Sequence, residues 1–277
     1  MSAFFLFFTA VFIGILEGVT EWLPISSTGH MLLFNGVLGM ETAVSPAFYS
    51  FFLAFVQLGA VLAVVGLYFD RLNPWSRKKT QREKRETLRL WRCVLIGMLP
   101  AALIGIPLDD FLEEYFYGVP VIAGALILYG IAFILIERRK KGRAACLERV
   151  YDITIRDAFE IGCFQALSLI PGTSRSGSTI LGGMLLGASR EASAEFSFFM
   201  AAPVMLGASL IRGIKFWSLD VGMTTNELLF LVIGTLASFL VSLAVIRFLM
   251  SFVKNHSFAI FGWYRILLGV IILLFFL

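Results

Sequence analysis

Two short polar loops hold the side chains of this chain that are best suited to chemistry. The first contains Glu17 and Glu21 and runs into the sequence SSTGH, which ends at His30. The second is PGTSRSGST, residues 171–179, with Arg175 at its centre. Each loop interrupts an apolar stretch too brief to cross a bilayer, and polar groups at membrane depth are rarely kept there without a use. The carboxylates, imidazole, guanidinium and hydroxyls together indicate a site for phosphate groups.

The two carboxylates of the first loop predict a bound cation. Glu17 and Glu21 are four positions apart, so on a helix they share a face with Cβ atoms about 5–6 Å apart. In a low-dielectric setting they repel unless one is protonated or a cation lies between them. Mg²⁺ is commonly held by one or two carboxylates together with substrate phosphate oxygens. We therefore expect a divalent cation, Mg²⁺ or Ca²⁺, at Glu17 and Glu21; the alternative is that either carboxylate only caps a helix or reaches toward water.

Three hydroxyl side chains, Ser26, Ser27 and Thr28, stand where a short helix should begin. At least one hydroxyl is expected to cap that helix. Free backbone N–H groups at this helix start, and at the start following Ser176 and Gly177, form a natural phosphate cradle. His30 lies one turn further on, within reach of a hydroxyl or a leaving phosphate oxygen for proton exchange; the alternative is a buried histidine satisfied by the core.

Arg175 is a permanent cation in a Gly- and Ser-rich loop at membrane depth. Such a cation needs an anionic partner, and its planar fork matches phosphate oxygens at two points. The alternative is an internal ion pair with Glu17 or Glu21, which would place Arg175 at the same site. Four further polar residues are isolated and assigned to packing or interfacial anchoring: Gln57, Glu160, Arg247 and Arg265.

Composition sets the class of protein. The chain is 58% hydrophobic and 15% charged, with a mean hydropathy of +0.86, which a soluble protein of this size could not cover with water-compatible surface. Long continuous apolar runs predict helices rather than a barrel. The first basic residue is Arg71, so the apolar N-terminus lacks the positive segment of a secretory signal and is expected to remain. The scattered Cys93, Cys146 and Cys163 are interpreted as structural thiols.

The predicted fold class is an all-α polytopic membrane protein with six transmembrane helices and two re-entrant helical hairpins. The hairpins are expected at 3–40 and 158–188, each with two short apolar pieces, 3–16 with 31–40 and 158–170 with 180–188. Irregular backbone of this kind is tolerated at membrane depth only inside protein or against a wet cavity. The predicted spans are 44–69, 90–108, 117–137, 193–214, 227–253 and 258–277.

Charge predicts the orientation. Of the chain's 23 basic residues, nine lie between Arg71 and Arg92 and seven between Arg138 and Arg156, so both segments are expected to be cytoplasmic. The connection with Asp109, Asp110, Glu113 and Glu114 has no basic residue and falls on the opposite side.

The two halves also repeat. Pro24-Ile25-Ser26-Ser27 resembles Pro171-Gly172-Thr173-Ser174, and the pattern A-x-V-x-L-G-A occurs at 54–60 and again at 202–208. One membrane domain, 1–277, is therefore expected to contain repeat one at about 1–140 and repeat two at about 155–277. Each repeat is predicted to consist of a hairpin and three spans. Because the number of crossings per repeat is odd, the second repeat must have the opposite orientation in the membrane. Inverted repeats of this kind are typical of transporters, with a site at the repeat interface.

The motifs carry a specific resemblance. E-x-x-x-E at 17–21, the run ending at His30 and PGTSRSGST are similar to the bacterial undecaprenyl-diphosphatase family, also called the bacitracin-resistance family. The similarity covers essentially the whole chain. It implies that catalysis falls to Glu17, Glu21, Ser27, His30 and Arg175. It implies phosphate binding by Ser26, Thr28, Ser174, Arg175, Ser176 and Thr179.

The resemblance implies hydrolysis of undecaprenyl diphosphate to undecaprenyl phosphate and inorganic phosphate, which recycles the lipid carrier of cell-wall synthesis and confers bacitracin resistance. It also implies a divalent cation and a multi-pass protein of the bacterial plasma (inner) membrane with its site open to the outer face. The expected partners are a polyprenyl diphosphate and membrane lipids, with a homodimer left open. The basic loop Arg77–Arg92 is interpreted as a topology signal and anionic-lipid contact, with no nucleic acid.

Two alternatives stay open. Ser27 attacks the terminal phosphorus with His30 or Glu21 taking its proton, or a water attacks directly. Architecture alone favours a transporter or flippase of a phosphorylated lipid or other anion over hydrolysis, and the resemblance reverses that order. A receptor or scaffold explains the apolar body but not the convergence of Glu, Ser, His and Arg.

Overall fold

The computed structural model describes residues 3–38, 44–219 and 222–276, and it is helical throughout, with no β-strand in these ranges. Residues 39 and 40 of the first predicted hairpin and Leu277 of the last predicted span lie outside them. The helices are α1 Ala3–Thr20, α2 Ser27–Leu38, α3 Pro46–Leu67, α4 Phe69–Leu72, α5 Gln81–Phe116, α6 Val119–Lys140, α7 Ile155–Ala166, α8 Arg175–Leu185, α9 Arg190–Ser218, α10 Thr225–Asn255 and α11 Ala259–Phe276.

Six of these helices, α3, α5, α6, α9, α10 and α11, are long and apolar enough to cross a membrane. The six predicted spans are thereby confirmed, although α5 is far longer than the predicted 90–108. It begins at Gln81 because Thr80 caps it: the Thr80 hydroxyl accepts from the Glu83 N–H at 3.3 Å, and the Glu83 carboxylate accepts from the Thr80 N–H at 2.7 Å. The charged first turns of α5 are thus part of the same helix as its apolar span.

The two predicted hairpins correspond to the helix pairs α1 with α2 and α7 with α8. In both, the second helix begins earlier than its apolar run suggests, at Ser27 instead of residue 31 and at Arg175 instead of residue 180. Hydropathy places a helix start where apolar residues begin, whereas here each polar motif itself forms the first turns. The re-entrant character of the hairpins remains a prediction.

Each hairpin packs its first helix against a span of the other half, α1 on α10 and α7 on α5. Glycines allow backbone contact at both places. A Cβ at Gly14 would lie 2.3 Å from the carbonyl oxygen of Gly234, and one at Gly162 would lie 2.2 Å from that of Gly97. Close approach through small residues is the usual way in which helices associate in membranes.

The remaining spans enclose the loops between the hairpin helices. α3 packs between α9 and α10, α6 packs along α11, and α8 lies against α7 and α9. Loops 21–26 and 170–174 therefore meet inside the bundle, surrounded by protein. The division into two inverted repeats stays a prediction; the matching pairs α1 with α10 and α7 with α5 are the contacts that such a repeat requires.

Candidate active site

The two polar motifs meet through a buried ion pair. Arg175 Nη2 donates to Glu21 Oε1 at 2.8 Å, and both side chains are largely shielded from solvent. Arg175 Nη1 donates to the carbonyl oxygen of Ser197 at 2.7 Å, while its guanidinium carbon lies 5.7 Å from the centre of the Trp22 ring. The alternative interpretation of Arg175, an internal ion pair, is thus what the structure shows, and Glu21 is the partner.

Arg175 owes its position to Ser174. Ser174 has a φ of 69°, and its hydroxyl accepts from the N–H of Gly177 at 3.2 Å, so it caps α8 and makes Arg175 the first helical residue. The expected helix start after Ser176 and Gly177 is therefore wrong. The free N–H groups at the start of α8 therefore belong to residues closer to Pro171 than the sequence predicted.

The other hydroxyls of the second motif bond to protein groups. Ser176 Oγ lies 3.2 Å from Ser174 Oγ and donates to the carbonyl oxygen of Leu23 at 3.3 Å. Thr179 Oγ1 donates to Ser197 Oγ at 2.7 Å inside the packing of α8 on α9. These bonds tie α8 to the first loop and to α9. The predicted role of these residues in phosphate binding remains a prediction.

In the first motif the cap is Ser26. Its hydroxyl accepts from the Gly29 N–H at 3.4 Å, and its φ is 73°. The expectation that one of the three hydroxyls caps the helix is confirmed. Ser27 and Thr28 line a cavity of about 870 Å³ instead, together with Glu17.

The cavity is also lined by residues of α3 and α9. Its polar lining includes Gln57 of α3, Arg212 of α9 and Tyr117, which follows α5. Gln57 was assigned to packing from sequence, and the structure places it on the cavity wall. A space of this size, with hydroxyls and a carboxylate in its lining, suits a phosphorylated head group.

Glu17 offers a ligand atom for a cation. The residue is 2% exposed, and its Oε1 has no hydrogen-bond partner among the described residues. The carboxyl groups of Glu17 and Glu21 are near enough to interact. No cluster of three or more His, Cys, Asp or Glu occurs within residues 3–38, 44–219 and 222–276. Two carboxylates fit a hard cation that takes its remaining ligands from phosphate oxygens and water.

His30 is held in one tautomer. Its Nδ1 lies 2.7 Å from the carbonyl oxygen of Ser26, and its Nε2 lies 2.6 Å from the hydroxyl of Tyr264, whose ring stacks on the imidazole at 5.6 Å. A carbonyl oxygen only accepts, so Nδ1 carries the proton and Nε2 accepts from Tyr264. Nε2 is therefore the atom of His30 that can act as a base.

Arg265 on α11 is the residue that sequence reasoning missed. It is fully buried, and its Nη2 donates to the carbonyl oxygens of Gly172 and Thr173, each at 2.8 Å. Its Nη1 donates to the carbonyl oxygen of Pro24 at 3.1 Å. One guanidinium thus joins both loops, and its assignment as an isolated packing residue is wrong. A charge midway along the last apolar span was the available indication.

The fold and the site define a polytopic helical membrane protein whose polar centre is built from two loops of opposite halves. Residues 10–271 match the family described as bacitracin resistance protein BacA. The chain belongs to this family.

Proteins named undecaprenyl-diphosphatase are similar to the chain over nearly its full length. That of Streptococcus mutans is 50% identical over 98% of this chain and 96% of the relative. That of Enterococcus faecalis is 47% identical over 95% of both. That of Acetivibrio thermocellus is 47% identical over 97% of both.

Proposed function

We propose that this protein hydrolyses undecaprenyl diphosphate to undecaprenyl phosphate and inorganic phosphate, recycling the lipid carrier of cell-wall synthesis and conferring bacitracin resistance. Family membership and the names of the relatives support this reaction. The observation that carries it is the contact of Arg175 with Glu21, which joins both motifs at one buried centre beside a cavity lined by Ser27.

The chemistry follows from the demands of phosphoryl transfer. The transition state is loose, so positioning and charge neutralisation matter more than covalent force. Arg175 and the N–H groups that begin α2 and α8 bind the diphosphate. Ser27 Oγ bonds to the terminal phosphorus, the bond from that phosphorus to the bridging oxygen breaks, and undecaprenyl phosphate leaves. The Ser27 proton passes to His30 Nε2 or to Glu21, and water then releases phosphate from the serine.

Direct attack by water is the second mechanism that fits the same groups. Here His30 or Glu21 takes the proton of the water, and Ser27 only orients the terminal phosphoryl group. A divalent cation, Mg²⁺ or Ca²⁺, would be held by Glu17 and Glu21 and would neutralise charge on the diphosphate.

The location of the site is also a proposal. We place the chain in the bacterial plasma membrane with the cavity open to the outer face, because the cavity residue Arg212 contacts Asp109 of the acidic connection. A homodimer stays a prediction. Single cysteines replacing Lys78 and Asp110 in a cysteine-free chain should react with an impermeant reagent from opposite sides. Reaction of both cysteines from the same side of the membrane would contradict the proposed topology and the inverted repeat.

The deciding experiment is phosphate release from a polyprenyl diphosphate by purified protein, paired with lipid binding. Ser27→Ala should bind and lose hydrolysis, since a nucleophile contributes little to ground-state affinity. Arg175→Lys should lose both, because an ammonium cannot reproduce a two-point contact. Ser50→Ala, which removes another cavity hydroxyl, is the matched control and should hydrolyse normally. Normal hydrolysis by Ser27→Ala would favour attack by water.

Transport or flipping of a phosphorylated lipid is the second candidate function. The size of the cavity favours it, since the space is about 870 Å³ and its lining includes Arg212 as well as Ser27. A parent protein that binds the lipid and never releases phosphate would overturn the hydrolytic function.

A further inference from the structure

One polar side chain of the cavity belongs to the middle of an apolar span. The helix α3 runs from Pro46 to Leu67, so Gln57 lies close to its midpoint. Gln57 is partly buried and lines the same cavity as Glu17 and Ser27. Within the described ranges, no protein group is hydrogen-bonded to its amide. A carboxamide at membrane depth is costly unless a ligand or water bonds to it, so the Gln57 amide is available to a molecule in the cavity.

Packing against α10 places Gln57 and Glu17 near the same level. A Cβ at Gly14 of α1 would lie 2.3 Å from the carbonyl oxygen of Gly234, and a Cβ at Gly59 of α3 would lie 2.2 Å from that of the next residue of α10. The two glycines are therefore level with each other. Glu17 comes three residues after Gly14, and Gln57 comes two residues before Gly59. Each of these polar residues thus lies within one helical turn of that level.

The repeated pattern gives an independent reason to place Gln57 beside Ser27. Gln57 is the fourth residue of the first A-x-V-x-L-G-A pattern, and Met205 is the fourth residue of the second. Met205 Sδ lies 3.9 Å from Nη2 of Arg175, the first residue of α8. Ser27 is likewise the first residue of α2. It precedes Gln57 by 30 positions, which is also the spacing between Arg175 and Met205. We therefore expect Gln57 to reach a group bound at Ser27.

We propose that Gln57 is a further substrate-binding residue, whose Nε2 donates a hydrogen bond to an oxygen of the phosphoryl group beside Ser27. The inference rests on the proposed hydrolysis. An amide can donate to a phosphate oxygen without placing another full charge at membrane depth. A hydrogen bond to an ionised acceptor is stronger than one between neutral groups. In the second half the cation Arg175 is itself the first helical residue, and the apolar Met205 lies where the first half has Gln57.

The binding test uses methylene diphosphonate, a diphosphate analogue that phosphatase action does not consume. At a fixed Mg²⁺ concentration, the dependence of the unfolding temperature on the analogue gives a dissociation constant. Gln57→Met, which introduces the residue of the second half, should raise that constant about tenfold or more. Ser50→Ala, which removes another polar group from the same helix and cavity, should change it less than twofold. An analogue that does not stabilise the parent, or a constant that is unchanged in Gln57→Met, would overturn the proposal.

A second variant tests the donor role against a role of shape. Gln57→Glu keeps the shape of the side chain and replaces the donor with a second acceptor. A carboxylate repels phosphate, so this variant should bind the analogue at least as weakly as Gln57→Met does. Parental affinity in Gln57→Glu would overturn the donor role. The unfolding temperature of each variant without the analogue shows whether the variant is folded.

Phosphate release from a polyprenyl diphosphate separates this proposal from the hydrolytic function on which it rests. In Gln57→Met, kcat/KM should fall by about the same factor as the affinity for the analogue. Gln57-dependent binding by a protein without phosphatase activity would leave the binding role standing and remove the hydrolysis. Hydrolysis by the parent with an unchanged kcat/KM in Gln57→Met would overturn the binding role and leave the hydrolysis standing.

Discussion

Ser26 and Ser174 share a backbone conformation that few residues other than glycine adopt, with φ of 73° and 69°. Each directly precedes a helix, and each accepts from the N–H three residues on. Each also lies 33 residues before the glycine of the repeated pattern, Gly59 or Gly207. The two loops therefore have the same local geometry at these serines. The prolines would instead pair Ser27 with Ser174, a difference of one residue, because the second loop has one extra residue between its proline and its serine.

The positive φ predicts an unusual order of stability. At Ser174, glycine should be more stable than alanine by about 1 kcal/mol or more, because glycine adopts this conformation without a Cβ penalty. Ser26 should show the same order. Thermal unfolding in detergent, followed by tryptophan fluorescence, measures it. Ser27 is helical, so there alanine should be at least as stable as glycine; alanine proving the more stable at Ser174 would contradict the strained conformation.

Local sequence patterns predicted the spans and the meeting of the motifs, but not the residues that hold the motifs together. The six spans follow from apolar length, and the charge asymmetry placed Glu21 and Arg175 in loops that approach from opposite halves. Arg265 and Tyr264 bind groups of the two motifs more than 90 positions away along the chain. Such contacts depend on which face α11 turns inward, and a continuous apolar helix has no periodicity that would reveal it.

Glu17 should serve the cation rather than the fold. Glu17→Gln keeps the shape of the side chain, and its Oε1 has no partner to lose among the described residues. We expect an unchanged unfolding temperature, hydrolysis lowered about a hundredfold or more, and a flattened response to Mg²⁺. Activity is titrated with Mg²⁺ and Ca²⁺ after chelation.

Gln165 provides the matched control for Glu17. It lies nine residues before Ser174, as Glu17 lies nine before Ser26, and it is equally buried, with both terminal atoms unpartnered in the described structure. Gln165→Leu should keep the parental response to metal. Full activity of the parent in chelator, or parental metal dependence in Glu17→Gln, would remove the cation from this position.

Arg265 should be essential for joining the two loops. Arg265→Lys keeps the charge, but a single ammonium cannot reach the carbonyl oxygens of both Pro24 and Gly172. Buried acceptors left unpaired predict a loss of about 3 kcal/mol or more of unfolding free energy. Thermal unfolding of the purified variants tests this. Arg247→Lys is the control, because Arg247 is an exposed residue on α10; an Arg265→Lys protein that unfolds at the parental temperature would show that the three bonds do not hold the loops.

The two ring nitrogens of His30 have different roles: Nδ1 donates to the carbonyl oxygen of Ser26, and Nε2 is the atom proposed to act as a base. His30→Asn can keep a donor near Nδ1 for the carbonyl oxygen of Ser26, and it lacks any atom at Nε2. We expect this variant to fold with nearly the parental unfolding temperature. Its hydrolysis rate should fall by a factor of about 10²–10⁴, the range expected for loss of a general base. Tyr264→Phe is the control. It preserves the stacked ring and removes the hydroxyl that is hydrogen-bonded to His30 Nε2. The base is still present in this variant, so the hydrolysis rate of Tyr264→Phe should remain within about tenfold of the parental rate. Phosphate release and thermal unfolding measured on both variants decide the matter: a folded, active His30→Asn protein would pass the role of base to Glu21.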